Sequence, residues 1–318
     1  MPPNDSPSSP PLVLVFAATD PTGGAGIQAD LLTLASMGCH GLSVVTAITI
    51  QDTAGVDDVL AIDSDWVADQ ARTLLEDMPV AAFKVGMMGS VENIAAIAEV
   101  VADYPDIPLI LDPVLASGRG DELASEDMIA ALTELLLPQT TIITPNSPEA
   151  RRLARALASE DDEEDGEEAD EESDENAGEG ADEDDPELAE CASRLLRAGC
   201  EYVLITGTHE NTPQVVNTLY GEEEGELRSD AWERLPGSYH GSGCTLASAI
   251  AAMLANGLDV SDAVREAQEY TWQALAAGFR PGMGQYLPDR FFWAREGGSS
   301  EEDEGEDEGG ETEHDEQK

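Results

Sequence analysis

Leu12-Val-Leu-Val-Phe-Ala-Ala18, followed by Asp20-Pro-Thr-Gly-Gly-Ala-Gly26 and then Ile27-Gln-Ala-Asp-Leu-Leu-Thr-Leu34, is the stretch whose reading decides the fold class. The first run is continuously apolar and far too short to span a bilayer, so it reads as a strand covered on both faces. The glycines make a turn, and apolar residues at helical spacing follow it. The same order recurs along the chain. Strands are predicted over Leu12–Ala18, Ser43–Thr49, Ala81–Val85, Leu109–Asp112, Thr140–Thr144 and Tyr202–Thr206. Between them helices are predicted near Ile27–Met37, Trp66–Glu76, Val91–Asp103, Ser125–Leu136, Pro148–Ala158 and Leu188–Ala198. Such alternation predicts an α/β fold built from βαβ units around a mostly parallel sheet. Val215–Tyr220 and Leu227–Leu235 read as an antiparallel pair at one edge, and helices at about Cys244–Ala255 and Ser261–Ala276 complete the pattern.

Composition narrows the function classes. The chain has 318 residues and a formal net charge of −52. Two tracts, Glu160–Glu187 and Glu296–Glu316, hold about 31 of the 67 acids and almost no apolar residues. They are too polar to offset ordering entropy and are expected to be disordered. The expected organisation is a disordered N-terminus over 1–11, one domain over 12–295 with a disordered insertion at about 160–186, and an acidic tail over 296–318. An inserted loop is tolerated because closure entropy grows only logarithmically with length. Outside the tracts, acids still outnumber the 15 basic residues more than two to one, and the only lysines are Lys84 and Lys318. This acid-rich, lysine-poor balance is similar to that of proteins from salt-in halophiles, where high salt screens self-repulsion. Nucleic acid is excluded as a partner because no basic patch exists to neutralise phosphates. Four cysteines without CxxC spacing suggest neither zinc nor a disulfide framework, and the N-terminus lacks a signal peptide's basic residues. Together with the lack of a membrane-spanning run, these features predict a cytoplasmic protein.

In open parallel sheets, ligands sit at the carboxyl ends of the strands. The chemically suggestive residues fall there repeatedly: the Asp20–Gly26 turn, Gln51, Met87, Asp112, Asn146 and Glu149. His240-Gly-Ser-Gly-Cys-Thr245 runs straight into the apolar helix Leu246–Leu254. Free N–H groups and the helix dipole make this turn an anion cradle, with Cys244 a base or nucleophile whose thiolate the helix terminus would favour. The alternative is a glycine-punctuated turn with a small buried cysteine. Asp30 lies on the apolar face of its helix, either paired structurally or pointing into a polar pocket. Asn146 and Glu149 stand three apart at a helix start. With Asp112 they suit Mg²⁺ held through waters beside phosphates, or else a capping arrangement.

Taken jointly, Asp20–Asp30, Thr46-Ala-Ile-Thr-Ile-Gln51, Lys84-Val-Gly-Met-Met88, Leu111-Asp-Pro-Val114, Thr144-Pro-Asn-Ser-Pro-Glu-Ala150 and His240–Thr245 resemble the hydroxymethylpyrimidine/phosphomethylpyrimidine kinases of the ribokinase-like superfamily. The resemblance covers nearly all of residues 12 to 290 apart from the acidic insertion. It implies a three-layer α/β/α sandwich, a homodimer, and ATP with Mg²⁺ as cofactors. The implied reaction is phosphorylation of 4-amino-5-hydroxymethyl-2-methylpyrimidine and then of its monophosphate, for thiamine biosynthesis. It implies substrate contacts from Gln51, Ala25, Asp30, Met87 and Val114, an anion hole at Gly241 and Gly243, and Cys244 as the base. Asn146, Thr206, Gly207 and Ser242 fall on the nucleotide side, with Asp112 and Glu149 toward the metal. One departure stands out: relatives often carry Lys-Gly-Gly-His where this chain has Thr206-Gly-Thr-His209. Lys84 and His240 are the nearest candidates to supply the missing positive charge. Pyridoxal kinase is the rival activity, a non-catalytic pyrimidine-phosphate sensor a second reading, and a Cys244–His240 hydrolase a third.

Overall fold

β1 (Leu12–Ala17) is apolar throughout because it lies inside the sheet with a parallel neighbour on each side. The computed structural model describes residues 9–117, 120, 122–158, 186–222 and 225–296. The expectations for the acidic insertion, the acidic tail and the residues before 9 lie almost wholly outside these. From β1 the chain runs through α1 (Gly26–Ser36), β2 (His40–Val45), β3 (Ala47–Gln51), β4 (Val56–Ala61), α2 (Ser64–Asp77), β5 (Val80–Val85) and α3 (Val91–Ala102). It continues through β6 (Leu109–Leu111), α4 (Glu126–Ala131), β7 (Ile142–Ile143), α5 (Ser147–Ala156), α6 (Leu188–Arg197) and β8 (Tyr202–Thr206). β9 (Gln214–Gly221), β10 (Gly225–Glu233), α7 (Ser242–Ala255), α8 (Val260–Ala276) and α9 (Phe292–Glu296) follow.

Eight strands form one sheet in the order β10-β9-β8-β7-β6-β5-β1-β2. All pairings from β2 to β8 are parallel, and β9 and β10 add antiparallel at the edge, as the sequence predicts. Each face has its own apolar layer. Phe16, Phe83, Ile94, Leu153 and Leu195 belong to the side covered by α2 to α6; Val15, Ile110, Ile27, Ile250 and Val264 belong to the side covered by α1, α7 and α8. This is the three-layer α/β/α arrangement.

The expected single strand Ser43–Thr49 is instead two elements, broken at Thr46. β2 pairs with β1, whereas β3 leaves the sheet and pairs antiparallel with β4 in a separate two-stranded flap. Thr46 is fully buried and pinned from several directions. Its N–H donates to Ala17 O, its hydroxyl donates to Met87 O at 2.6 Å, and its carbonyl accepts from Ile62 N and from Asn93 Nδ2 at 3.0 Å. The same Asn93 amide also donates to Met88 O at 2.9 Å, so one side chain ties the flap's root to the end of β5. β4 escaped notice because Asp57 and Asp58 interrupt its apolar pattern. The helix predicted over Ser125–Leu136 is regular only to Ala131 and then widens into a π turn over Leu132–Leu136, ahead of a 3₁₀ turn containing Pro138. Proline has no N–H with which to continue the ladder.

Asn93→Ala leaves the Thr46 and Met88 carbonyls without this donor, a loss of about 2–4 kcal/mol. Denaturant unfolding measures that cost, and hydrogen exchange should quicken selectively at Ala47–Gln51.

Candidate active site

At the start of α7, Gly241 adopts φ 80°, a left-handed conformation that favours glycine. A Cβ there would lie 1.9 Å from Gly24 O, so the turn before α7 and the turn before α1 are in backbone contact. The second turn is organised by buried Asp20, whose carboxylate accepts from Thr22 N at 2.8 Å, Thr22 Oγ1 at 2.8 Å and Ala25 N at 2.7 Å. His240 Nε2 meets the same carboxylate at 2.9 Å. Burial pushes the Asp20 carboxyl up, but the bonds from His240, Ala25 and Thr22 outweigh it and hold the group below the usual range.

Beneath the two turns, Lys84 at the end of β5 is 0% exposed. Its Nζ lies 3.1 Å from Asp30 and 3.6 Å from Asp112 Oδ2. Ser248 of α7 donates to Asp30 Oδ1 at 2.7 Å. Burial disfavours the ammonium, yet Asp30, Cys244 and Asp112 raise its pKa, so Lys84 stays charged. Asp30 therefore takes the paired alternative. Its carboxylate is wholly enclosed, which corrects the expectation that it contacts substrate. Lys84 likewise serves Asp30 and Asp112 and is not open to nucleotide.

Cys244 opens α7 half-buried above this pair. Burial raises its thiol pKa, Asp112 adds to the rise, and Lys84 and the Gly26 N–H oppose it. The helix terminus alone does not make a thiolate here, contrary to the sequence expectation, because burial first and the Asp112 carboxylate second outweigh it.

The Asn146–Glu149 pair forms the capping box of α5. Asn146 Oδ1 accepts from Glu149 N at 2.9 Å, and Glu149 Oε2 accepts from Asn146 N at 3.0 Å. Glu149 Oε1 reaches further and accepts from Leu115 N at 3.1 Å. That bond supports Val114, a β-branched residue at φ 41° and the one non-glycine with positive φ among the described residues. Burial, with Asp112 adding repulsion, pushes the Glu149 carboxyl up to about 7.

Asp112 Oδ2 is buried without a hydrogen-bond partner, and Asp112 and Glu149 repel each other. A buried carboxylate oxygen that accepts no hydrogen bond and is ion-paired to Lys84 at 3.6 Å, beside a second, electrostatically frustrated carboxyl, is chemistry that fits a hard divalent cation. Among the described residues no third ligating side chain joins these two carboxylates, so waters and phosphate oxygens would complete the coordination.

The remaining expected residues fall at two small cavities, at the end of β8 and at the starts of α1 and α7. Gln51 and His240 line one small cavity with Asp52, Val56 and Gln285; Met87 and Val114 line a second with Met88, Pro113 and Leu115. Ala25 is held by Asp20 at the head of α1. Thr206 N donates to Pro145 O beside Asn146, while Gly207 N donates to Asn217 Oδ1 at 3.1 Å. A Cβ on Gly207 would lie 2.2 Å from Val216 O, so the backbone there passes directly over β9. Gly243 is exposed and Ser242 half-buried at the first turn of α7. Asp20 lies within the Asp20–Asp30 motif, but the motif alone does not show that its carboxylate organises the turn. Arg290, bonded to both turns, lies in a segment with no periodicity that would mark it in the sequence.

Comparisons with known proteins give the family and bear out the fold. The family model described as phosphomethylpyrimidine kinase matches residues 20–181 and 172–289. The chain is 38% identical over 279 residues to a hydroxymethylpyrimidine/phosphomethylpyrimidine kinase of Streptomyces coelicolor, covering 87% of this chain and 93% of the relative. A crystal structure of phosphomethylpyrimidine kinase from Clostridium difficile 630 superposes with a TM-score of 0.65 at 32% identity, covering 83% of this chain and 99% of the other. An ADP complex of Bacillus subtilis pyridoxal kinase gives 0.72 at 27% identity, covering 90% and 100%.

Two outcomes follow from the charges. Lys84→Met strands Asp30 and costs about 3–5 kcal/mol. Adding Asp30→Asn should recover much of that loss in denaturant titrations. Glu149 has a folded-state pKa near 7 against an ordinary 4.5, so the folded state holds a proton that the unfolded state has lost between these values. Its contribution to stability is therefore lost as pH rises from 4.5 to 7, by up to about 3 kcal/mol. Urea titrations at pH 5 and pH 8 without divalent cations should show a smaller pH difference for Glu149→Gln than for the wild type.

Proposed function

Because the chain belongs to the phosphomethylpyrimidine kinase family, an enzyme family of phosphotransferases, we propose that it transfers the γ-phosphoryl group of ATP to 4-amino-5-hydroxymethyl-2-methylpyrimidine. A second transfer, to the monophosphate, gives the diphosphate used in thiamine biosynthesis. The observation that carries this reading is the convergence, above one buried lysine, of a glycine turn opening α7, a half-buried thiol and a buried carboxylate oxygen that accepts no hydrogen bond.

In this reading the Gln51 amide offers both a donor and an acceptor to the aminopyrimidine edge, while Ala25, Met87 and Val114 supply apolar walls. The hydroxymethyl oxygen loses its proton to the Cys244 thiolate and attacks the γ-phosphorus, and the bond to the ADP oxygen breaks. Cys244 must first ionise, and the permanently charged Lys84 is the group that favours this. N–H groups of Gly241, Ser242 and Gly243 stabilise charge on the transferring oxygens. Asn146, Thr206 and Gly207 lie on the nucleotide side. Asp112 and Glu149 would hold Mg²⁺, which neutralises phosphate charge when bound.

The pyridoxal reading rests on fold likeness at 27% identity, below the 38% found with the pyrimidine kinase relative. We also propose a homodimer. Ile48, Ile50 and Leu60 are exposed on one face of the β3–β4 flap, an apolar stripe on an otherwise acidic protein. Free cysteines and dependence on ATP favour the cytoplasm, and the acid-rich surface favours molar salt. No helix among the described residues is long and apolar enough to cross a membrane.

In molar KCl with Mg·ATP, the wild type should convert the aminopyrimidine alcohol through its monophosphate to the diphosphate, with higher kcat/KM than for pyridoxal. Cys244→Ala should lower kcat by about 10²–10⁴. Preference for pyridoxal overturns the substrate assignment, and unchanged diphosphate formation by the variant removes Cys244 from the role of base.

A further inference from the structure

Arg290 follows the last strand-like bridge of the chain and lies on no motif, yet it is only 4% exposed. Its own carbonyl accepts from Ser36 Oγ at 2.6 Å and Tyr270 OH at 2.9 Å, which anchors it to α1 and α8. Its guanidinium reaches into the seam between the two glycine turns. Nη2 donates to Gly24 O at 2.6 Å and Nη1 to Gly23 O at 3.3 Å. Nε and Nη2 also reach Thr245 Oγ1, at 3.2 and 2.9 Å. Among the described residues no carboxylate forms an ion pair with it; burial lowers its pKa, and Cys244, Tyr270, Asp30 and Asp20 oppose that through space.

This pattern dictates where the Thr245 hydroxyl points. A hydroxyl has one hydrogen and two acceptor sites. Both acceptor sites face guanidinium N–H groups, so the hydrogen is left for Gly241 O, 2.7 Å away. Thr245 N donates to the same oxygen at 3.0 Å. In a planar trans peptide the carbonyl and the following N–H point in opposite directions. Holding Gly241 O toward Thr245 therefore aims the Ser242 N–H out of the turn, where an anion would approach. On the other side of the seam, Gly24 O is the atom against which Gly241 packs. One guanidinium thus sets both walls of the cradle and leaves its charge behind it.

We propose that Arg290 is a positioning residue for phosphoryl transfer, which locks the Gly23–Gly24 and Gly241–Thr245 turns together and supplies positive potential behind the anion cradle. The proposal rests on the kinase reading and specifies how this chain completes that site.

Arg290→Met, Arg290→Lys and Thr245→Val are compared with the wild type in molar KCl, with folding checked by circular dichroism. Removal of a preorganised donor at such a site costs on the order of 10²–10³ in kcat, and an indirect loss of alignment should cost about 10–100-fold. Arg290→Met should show that fall in kcat with KM for the pyrimidine alcohol changed less than about 3-fold, and added methylguanidinium should restore part of it. Thr245→Val should fall in the same direction, and the double variant should lose less than the product of the single losses because both act on one path. Independently of turnover, hydrogen exchange at the Thr245 amide, which is bonded to Gly241 O, should quicken at least 10-fold in Arg290→Met while the amides of β1 hold. Unchanged kcat in a folded Arg290→Met, strictly multiplicative effects with Thr245→Val, or unchanged exchange at the turn overturns the role of Arg290. Absence of wild-type turnover with either alcohol overturns the kinase reading, and the exchange measurement then still decides whether Arg290 holds the turn.

Discussion

Lys84 is the constraint on which the rest of the site depends. An ammonium group at 0% exposure is tolerable only beside a compensating negative charge, and Asp30 and Asp112 provide it from α1 and the end of β6. Ser248 adds α7 to the same cluster. Four elements that are remote in sequence must therefore arrive in one register or leave a charge stranded. The strand that carries Lys84 is fitted to it as well. A Cβ on Gly86 would lie 2.7 Å from Nζ, so the backbone turns away beneath the ammonium where a side chain would not fit. The frame that holds the thiol, the Asp112 carboxylate and the glycine turn in place is thus electrostatic at its centre and apolar on its two outer faces.

The parallel sheet was legible in the sequence because each strand is covered on both faces and reads as an unbroken apolar run. The flap was not. β3 continues the apolar run of β2, and only the hydrogen bonds of Thr46 to Ala17, Met87 and Asn93 show where the chain departs. Motif reading located Gln51, Met87, Asp112, Glu149 and Cys244, since these stand at strand ends or a helix start. It did not resolve how they divide their work. Asp30 was open between a structural pair and a ligand contact because one helix face does not reveal what lies opposite. The sequence around Cys244 shows only its own helix, while its ionisation answers first to burial and then to Asp112 and Lys84 on other elements. Arg290 had no legible signal: its partners are Gly23 and Gly24 carbonyls and a threonine hydroxyl, groups that leave no charge pattern.

The strain at Val114 belongs with the same architecture. A β-branched residue at φ 41° persists because the next peptide N–H is held by Glu149, whose other oxygen caps α5. One carboxyl group thereby links a wall of the proposed substrate pocket to the Asn146 loop proposed for the nucleotide. Its proximity to Asp112 means that charge placed between the two carboxylates is felt at both ends of that link.

The enclosure of Lys84 has a chemical consequence for the life of the protein. Lysine side chains are the usual targets of acetyl donors, glycating sugars and amine-reactive reagents. Here the only other one is the C-terminal residue, Lys318. The one amine that the site needs is sealed from such reagents while the chain is folded. Acylation of Lys84 would thus report on unfolding, and damage that accumulates on lysine-rich surfaces would pass this domain by.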